Sequence, residues 1–172
     1  ENYTDPFQAL VRYAVVNTVD GAPLVFPGQE LGISRTFGYQ SYETNFGKQI
    51  AHFKKFNSMM PAWNDTNYGN DQLYPVYAGI GQARQFSKAL RSSNRYFLDQ
   101  TGGSGAHGKI FAAAKFETKN AAPATSDVVF AFANTDRDYT GFGNFDVNQD
   151  TDVNGVNDYG IKPGRLYNVK NI

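Results

Sequence analysis

A mixed helix-and-strand portion followed by an all-β portion, α/β and then β, is the fold class that the sequence predicts, and three observations predict it. Residues 5–18 set apolar side chains at helical spacing behind a capping signal. Residues 23–26 are a short apolar run bounded by Gly and Pro. From Arg95 onward the helical spacing gives way to short strand-like segments separated by turn-rich stretches.

In Asp5-Pro6-Phe7-Gln8, Asp5 is placed as an N-cap, Pro6 occupies the first helical position where a missing amide hydrogen costs nothing, and Gln8 completes a capping box. The spacing predicts a helix over 5–18 with Phe7, Leu10, Val11, Ala14, Val15 and Val19 on its apolar face, ended by Asp20-Gly21. Gly21-Ala22-Pro23-Leu24-Val25-Phe26-Pro27-Gly28-Gln29-Glu30 then reads as a buried strand that delivers an amide and a carboxylate at its end. A helix, a two-residue link and a strand make the α-to-β half of a βα repeat.

Residues 31–71 are a long aromatic loop holding Arg35, Phe37, Tyr39, Tyr42, Phe46, Phe53, Phe56 and Trp63. A loop of this length is expected to be functional and interrupted by helical turns, for example over 48–56. A second helix is predicted over 72–87, with Leu73, Val76, Tyr77, Ile80 and Ala83 as its buried stripe and Pro75 in its first turn. Gly79 and Gly81 weaken its propensity and point to close packing against a neighbour. Strands are expected over 95–98, 109–117 and 127–134 as an antiparallel meander, with one more candidate over 165–169.

Charge excludes some classes of function. The 172 residues carry 16 Lys plus Arg and 16 Asp plus Glu, so nothing draws nucleic acid or an anionic membrane, and neither is expected as a partner. No apolar run approaches the length of a membrane span. The absence of Cys removes disulfides, thiolate metal sites and thiol nucleophiles; it leaves the compartment undecided, export included.

The helix start Asp5-Pro6, the Gly21-x-Pro23 to Gly28-x-Glu30 strand, Met60-Pro61-x-Trp63-Asn64, and Tyr77-x-x-Ile80-x-x-Ala83-Arg84 followed by Ala89-Leu90-Arg91 come in an order that resembles the amylase family of glycoside hydrolases, family 13. The resemblance covers nearly the whole chain. It implies the last helix-strand-helix portion of a (β/α)8 barrel over residues 1–93 and an antiparallel β-sandwich, cut short, over 94–172. It also implies part of an α-amylase-like hydrolase or transglycosylase acting on α-glucans by a retaining mechanism. The family's catalytic carboxylates would lie upstream, so no catalytic residue is expected in this chain and the segment alone should be inactive. Its expected partners are an α-glucan or oligosaccharide substrate and the remainder of the barrel. Phe26-Pro27 stands where the family carries an aromatic pair, a departure that stiffens the strand end and removes a phenol hydroxyl.

Within that resemblance Gln29, Glu30, Arg35, Tyr39 and Trp63 are the substrate-binding candidates, since aromatic faces stack on sugar rings while polar groups hold hydroxyls. Each also has a plainer role: Glu30 can hold a loop through an Arg or backbone amides, and a loop aromatic can pin its own segment by about 1.5–3 kcal/mol when buried. His52 and His107 have no partner at catalytic spacing. Asp146-x-Asn148-x-Asp150-x-Asp152-x-Asn154 spaces oxygens as a calcium loop does, but in a frame starting at Asp146 the glycine position holds Thr151 and the twelfth holds Asn157. The expectation is therefore a solvated Asx-rich hairpin and no metal site in this chain, with calcium left to the parent enzyme. The competing function is a non-catalytic extracellular module that binds carbohydrate or calcium.

Overall fold

The computed structural model describes residues 6–25, 29–31, 73–103, 108–138 and 141–171. The N-cap Asp5, residues 26–28, the aromatic loop with Arg35, Tyr39 and Trp63, the helical turn expected over 48–56, His52 and His107 lie outside the described residues. The structure is α plus β, in two compact units; among the described residues it has three α-helices, a 3-10 turn and antiparallel sheets. The first unit comprises residues 1–10 and 24–78, the second 11–23 and 79–172. Among the described residues no helix is long and apolar enough to cross a membrane.

In the first unit the 3-10 turn Gln29–Leu31 and the opening turns of helix α2 (Leu73–Phe86) are tied by Gln29 Nε2, which donates to the Tyr77 hydroxyl at 3.1 Å. Leu73 and Tyr77, four residues apart, are the buried pair of α2, and Pro75 sits in the first turn where its missing amide is tolerated. Val76, expected in the same stripe, is exposed. Residues 24 and 25 differ from expectation. They belong to no strand, and Leu24 is 84% exposed, so at this point an apolar composition did not mean burial.

The second unit is built where α1 (Pro6–Thr18) ends. The buried residues of α1 are Ala9, Tyr13 and Asn17, one stripe at four-residue spacing, whereas Phe7 and Val16 are exposed and Leu10, Val11, Ala14, Val15 and Val19 are half-buried. Burial follows what the helix packs on rather than which side is most apolar. Gly21 closes the element in left-handed geometry, φ 100°. The carbonyls left open at this end go to Arg84 near the end of α2. Its Nη1 donates to Asn17 O at 2.5 Å and Val19 O at 3.3 Å, and its Nη2 to Gly21 O at 2.5 Å. Nη1 also donates to Leu90 O at 2.9 Å, at the end of the short helix α3 (Lys88–Arg91). Gly81, one turn earlier, faces Tyr13: a Cβ there would lie 3.5 Å from the tyrosine oxygen, while Gly79 faces open space.

Strands β1 (Arg95–Phe97), β3 (Ile110–Phe116) and β4 (Val128–Asn134) form one antiparallel sheet with β3 in the middle, as the spacing predicted. Strands β2 (Gln100–Gly103) and β5 (Gly143–Phe145) form a second antiparallel pair. One face of β3 carries Ala112, Ala114 and Phe116, opposite Phe132, Phe130 and Val128 of β4. The two alanines leave room for Tyr159, which is fully buried with its ring 5.5, 5.7 and 5.9 Å from those of Phe116, Phe130 and Tyr96. Leu98 and Ile161 complete this core. Gly160 must be glycine: φ is 71°, and a Cβ would meet Ala121 O at 1.9 Å. The strand expected over 165–169 is absent; Leu166 is fully exposed, and among the described residues nothing pairs with that segment.

The other face of β3 presents Lys115, which is fully buried. Its ammonium lies 3.0 Å from Asp20 Oδ1 and donates to Ser92 O, while Arg95 takes the second oxygen of Asp20. Burial, with the charges of Arg95 and Arg84, holds the lysine below its ordinary pKa of 10.5. The unfolded chain therefore binds this proton more tightly, and the lysine's contribution to stability is lost as pH falls through its folded pKa. Removing the carboxylate strands a buried charge, so Asp20→Asn should cost about 3 kcal/mol in urea unfolding, and adding Lys115→Met should restore more than half of it. Equal losses in the single and double variants would show that Asp20 does not compensate the buried ammonium.

Candidate functional site

Of the five substrate-binding candidates, the described residues include Gln29 and Glu30, both half-buried in one 3-10 turn. Gln29 spends a side-chain donor on Tyr77, so at least part of its role is to hold α2. Arg35, Tyr39 and Trp63 lie outside the described residues.

A dense polar cluster of the second unit lies in the Asx-rich segment after β5. Here the chain does not form the hairpin that its composition suggested. Asp146 N donates to Asp99 O at 3.1 Å, and Asp146 Oδ1 accepts Asn148 N at 2.8 Å, a local Asx turn that occupies this carboxylate. The loop then winds around Asp150, whose Oδ1 accepts Asn154 N at 3.1 Å and whose Oδ2 accepts Gly155 N at 2.8 Å. Gly155 has φ 78° and Val153 φ 55°, so the backbone turns sharply between Asp152 and Val156. The Asp158 amide donates to Gln149 O at 2.7 Å and closes the loop.

This winding brings one carboxylate oxygen from each of Asp150, Asp152 and Asp158 within 4.8 Å of the others. Asp158 is fully buried. Its Oδ2 accepts the hydroxyls of Tyr96 and Thr151, the latter at 2.7 Å, and the Thr151 amide at 3.4 Å. Its Oδ1 accepts no hydrogen bond and has the Lys119 ammonium 3.6 Å away. The same ammonium lies 3.2 Å from Asp152 Oδ2 and 3.1 Å from Thr151 Oγ1. Asn120 Nδ2 reaches Asp152 Oδ2 at 3.3 Å, while its own Oδ1 is buried without a donor.

Burial by itself would raise the Asp158 carboxyl, but the Tyr96 and Thr151 hydrogen bonds and the Lys119 charge outweigh it and hold the group below its ordinary 3.8. Asp152 is likewise held down against its desolvation by Lys119 and Asn120. The Tyr96 phenol is raised, first by burial and then by its bond to Asp158.

The sequence signal for this cluster was legible in another frame. Counting from Asp150 instead of Asp146, Asp152 is third, Asn154 fifth, Gly155 sixth and Asp158 ninth. The glycine now stands where a calcium loop turns. A frame anchored on the first Asx residue of the run misses it by four positions.

No protein-family model, no curated protein and no solved structure matches this chain.

A carboxyl with a depressed pKa stabilises the fold above its unfolded value and loses that contribution as pH falls through the folded pKa. Asp158→Asn should therefore lower stability by about 2 kcal/mol at pH 7 through weakened charge-assisted bonds, and should flatten the acid limb of a stability-against-pH curve below about pH 5. A parallel acid limb in the variant would remove Asp158 from the groups that set it.

Proposed function

We propose that this chain is the C-terminal part of an α-amylase-like glycoside hydrolase or transglycosylase acting on α-glucans with retention of configuration. In this reading residues 1–93 belong to the end of a (β/α)8 barrel and 94–172 to an antiparallel β-sandwich. Gln29 and Glu30, with Arg35, Tyr39 and Trp63, line the sugar cleft, and the catalytic carboxylates are supplied upstream. The remainder of the barrel is its partner.

The observation that carries the reading is Arg84. The pattern Tyr77-x-x-Ile80-x-x-Ala83-Arg84 with Ala89-Leu90-Arg91 is one part of the resemblance, and its members do the work that a helix-to-sheet junction needs. Tyr77 anchors α2, Arg84 collects the carbonyls at the ends of α1 and α3, and Ala89 and Leu90 are buried on α3, which packs on β3 and β4. An α2-α3 turn running straight into an antiparallel sheet is the arrangement that this family's barrel-to-sandwich passage calls for.

Retention requires a nucleophile and an acid about 5–5.5 Å apart, and in this reading that pair lies upstream. The 172-residue chain alone should give no turnover of maltooligosaccharides above buffer. The product of its complete reading frame should cleave or transfer α-glucans, with the α anomer appearing first by NMR. First appearance of the β anomer, or no action on any α-glucan, would overturn the assignment.

A further inference from the structure

We propose that Asp150, Asp152 and Asp158 form a binding site for a calcium-like divalent cation. Three features point to it. The carboxylate oxygens converge within 4.8 Å. Calcium takes oxygen ligands at about 2.3–2.6 Å, so two of its ligands lie at most about 5 Å apart; magnesium, at about 2.0–2.1 Å, would require a tighter cluster. Counted from Asp150, Asp152 and Asp158 fall at ligand positions three and nine with Gly155 at position six, whereas position twelve, a bidentate Glu in EF-hands, is Ile161, so the site follows only the first part of that loop.

The third feature is the fully buried Asp158 side chain. Its Oδ1 accepts no hydrogen bond, and it faces the same ammonium as Asp152 Oδ2. A buried carboxylate oxygen without a donor is costly unless a cation offsets it, and an ammonium at 3.6 Å does so incompletely. Next to it the buried Asn120 Oδ1, also without a donor, offers another oxygen at the rim. Three carboxylates against one lysine leave two negative charges uncompensated within the cluster, the charge of one divalent ion.

Lys119 takes the part of the cation when no metal is bound. Its side chain is 38% exposed on a flexible stem, so it can withdraw to solvent as a divalent ion enters. The ion would also brace the fold, because Asp158 immediately precedes Tyr159, the ring that fills the core of the sheet. The site is independent of the glucan reading and would serve any function of this chain.

Equilibrium dialysis of the 172-residue chain against calcium alone, paired with thermal unfolding in calcium and in chelator, tests it. One ion should bind with Kd of about 10⁻⁴–10⁻³ M, as in extracellular modules, and Tm should rise by about 5 °C or more at a hundredfold excess over Kd. Asp152→Ala, at an exposed position, should abolish both effects while the variant stays folded in chelator. Asp146→Asn, outside the cluster, should keep both, and Lys119→Met should tighten binding several-fold. No binding up to about 10 mM calcium, or equal binding by the wild-type and Asp152→Ala chains, would overturn the site. Weaker binding by Lys119→Met would overturn the role of the ammonium.

Discussion

The guanidinium of Arg84 is the interaction on which the second unit depends. A helix leaves its last carbonyls without partners and its C-terminal end partly negative, and a rigid fork of donors with a permanent charge answers both needs at once. Arg84 does so for the end of α1 through Asn17, Val19 and Gly21, and takes Leu90 O at the end of α3 as well. Asp20, inside the span that Arg84 fixes, is thereby held where Lys115 and Arg95 of the sheet can use both of its oxygens. Helix ends and sheet thus share one electrostatic knot, arginine on one side and a buried lysine on the other, with the Asp20 carboxylate between them.

A second constraint comes from the small residues of β3. Ala112 and Ala114 leave space on the sheet, and the ring of Tyr159 fills it from a segment far along the chain. That placement fixes Asp158 beside Tyr96 and Thr151 and, through Gly160, presses the backbone against Ala121. The acidic loop is therefore anchored at its C-terminal end by the hydrophobic core. This anchoring makes its carboxylates converge where a free Asx-rich loop would spread them apart by repulsion.

What was legible in the sequence follows from signal strength. Helices α1 and α2 and strands β1, β3 and β4 were read within a residue or two, because capping and apolar periodicity act locally. The buried stripe of α1 was not, since Ala9, Tyr13 and Asn17 are buried by their neighbours and not by their hydrophobicity. Strands β2 and β5 went unread because Gln100-Thr101-Gly102-Gly103 and Gly143-Asn144-Phe145 have no alternation, and only their mutual pairing makes them strands. Conversely, residues 23–25 and 165–169 carry strand-like composition but have no pairing partner among the described residues. For the proposed sugar cleft the sequence pointed to Gln29, Glu30, Arg35, Tyr39 and Trp63, of which Gln29 and Glu30 are among the described residues. It hid the acidic cluster behind a frame that began four residues too early.

Native-state hydrogen exchange of an Arg84→Lys variant tests the knot most directly, because lysine keeps the charge but cannot span four carbonyls. If Arg84 joins helix ends and sheet into one cooperative unit, protection should fall together in residues 11–18 of α1 and in β3, by similar factors. Loss confined to α1, with β3 as protected as in the wild type, would contradict the account and leave Arg84 a local cap.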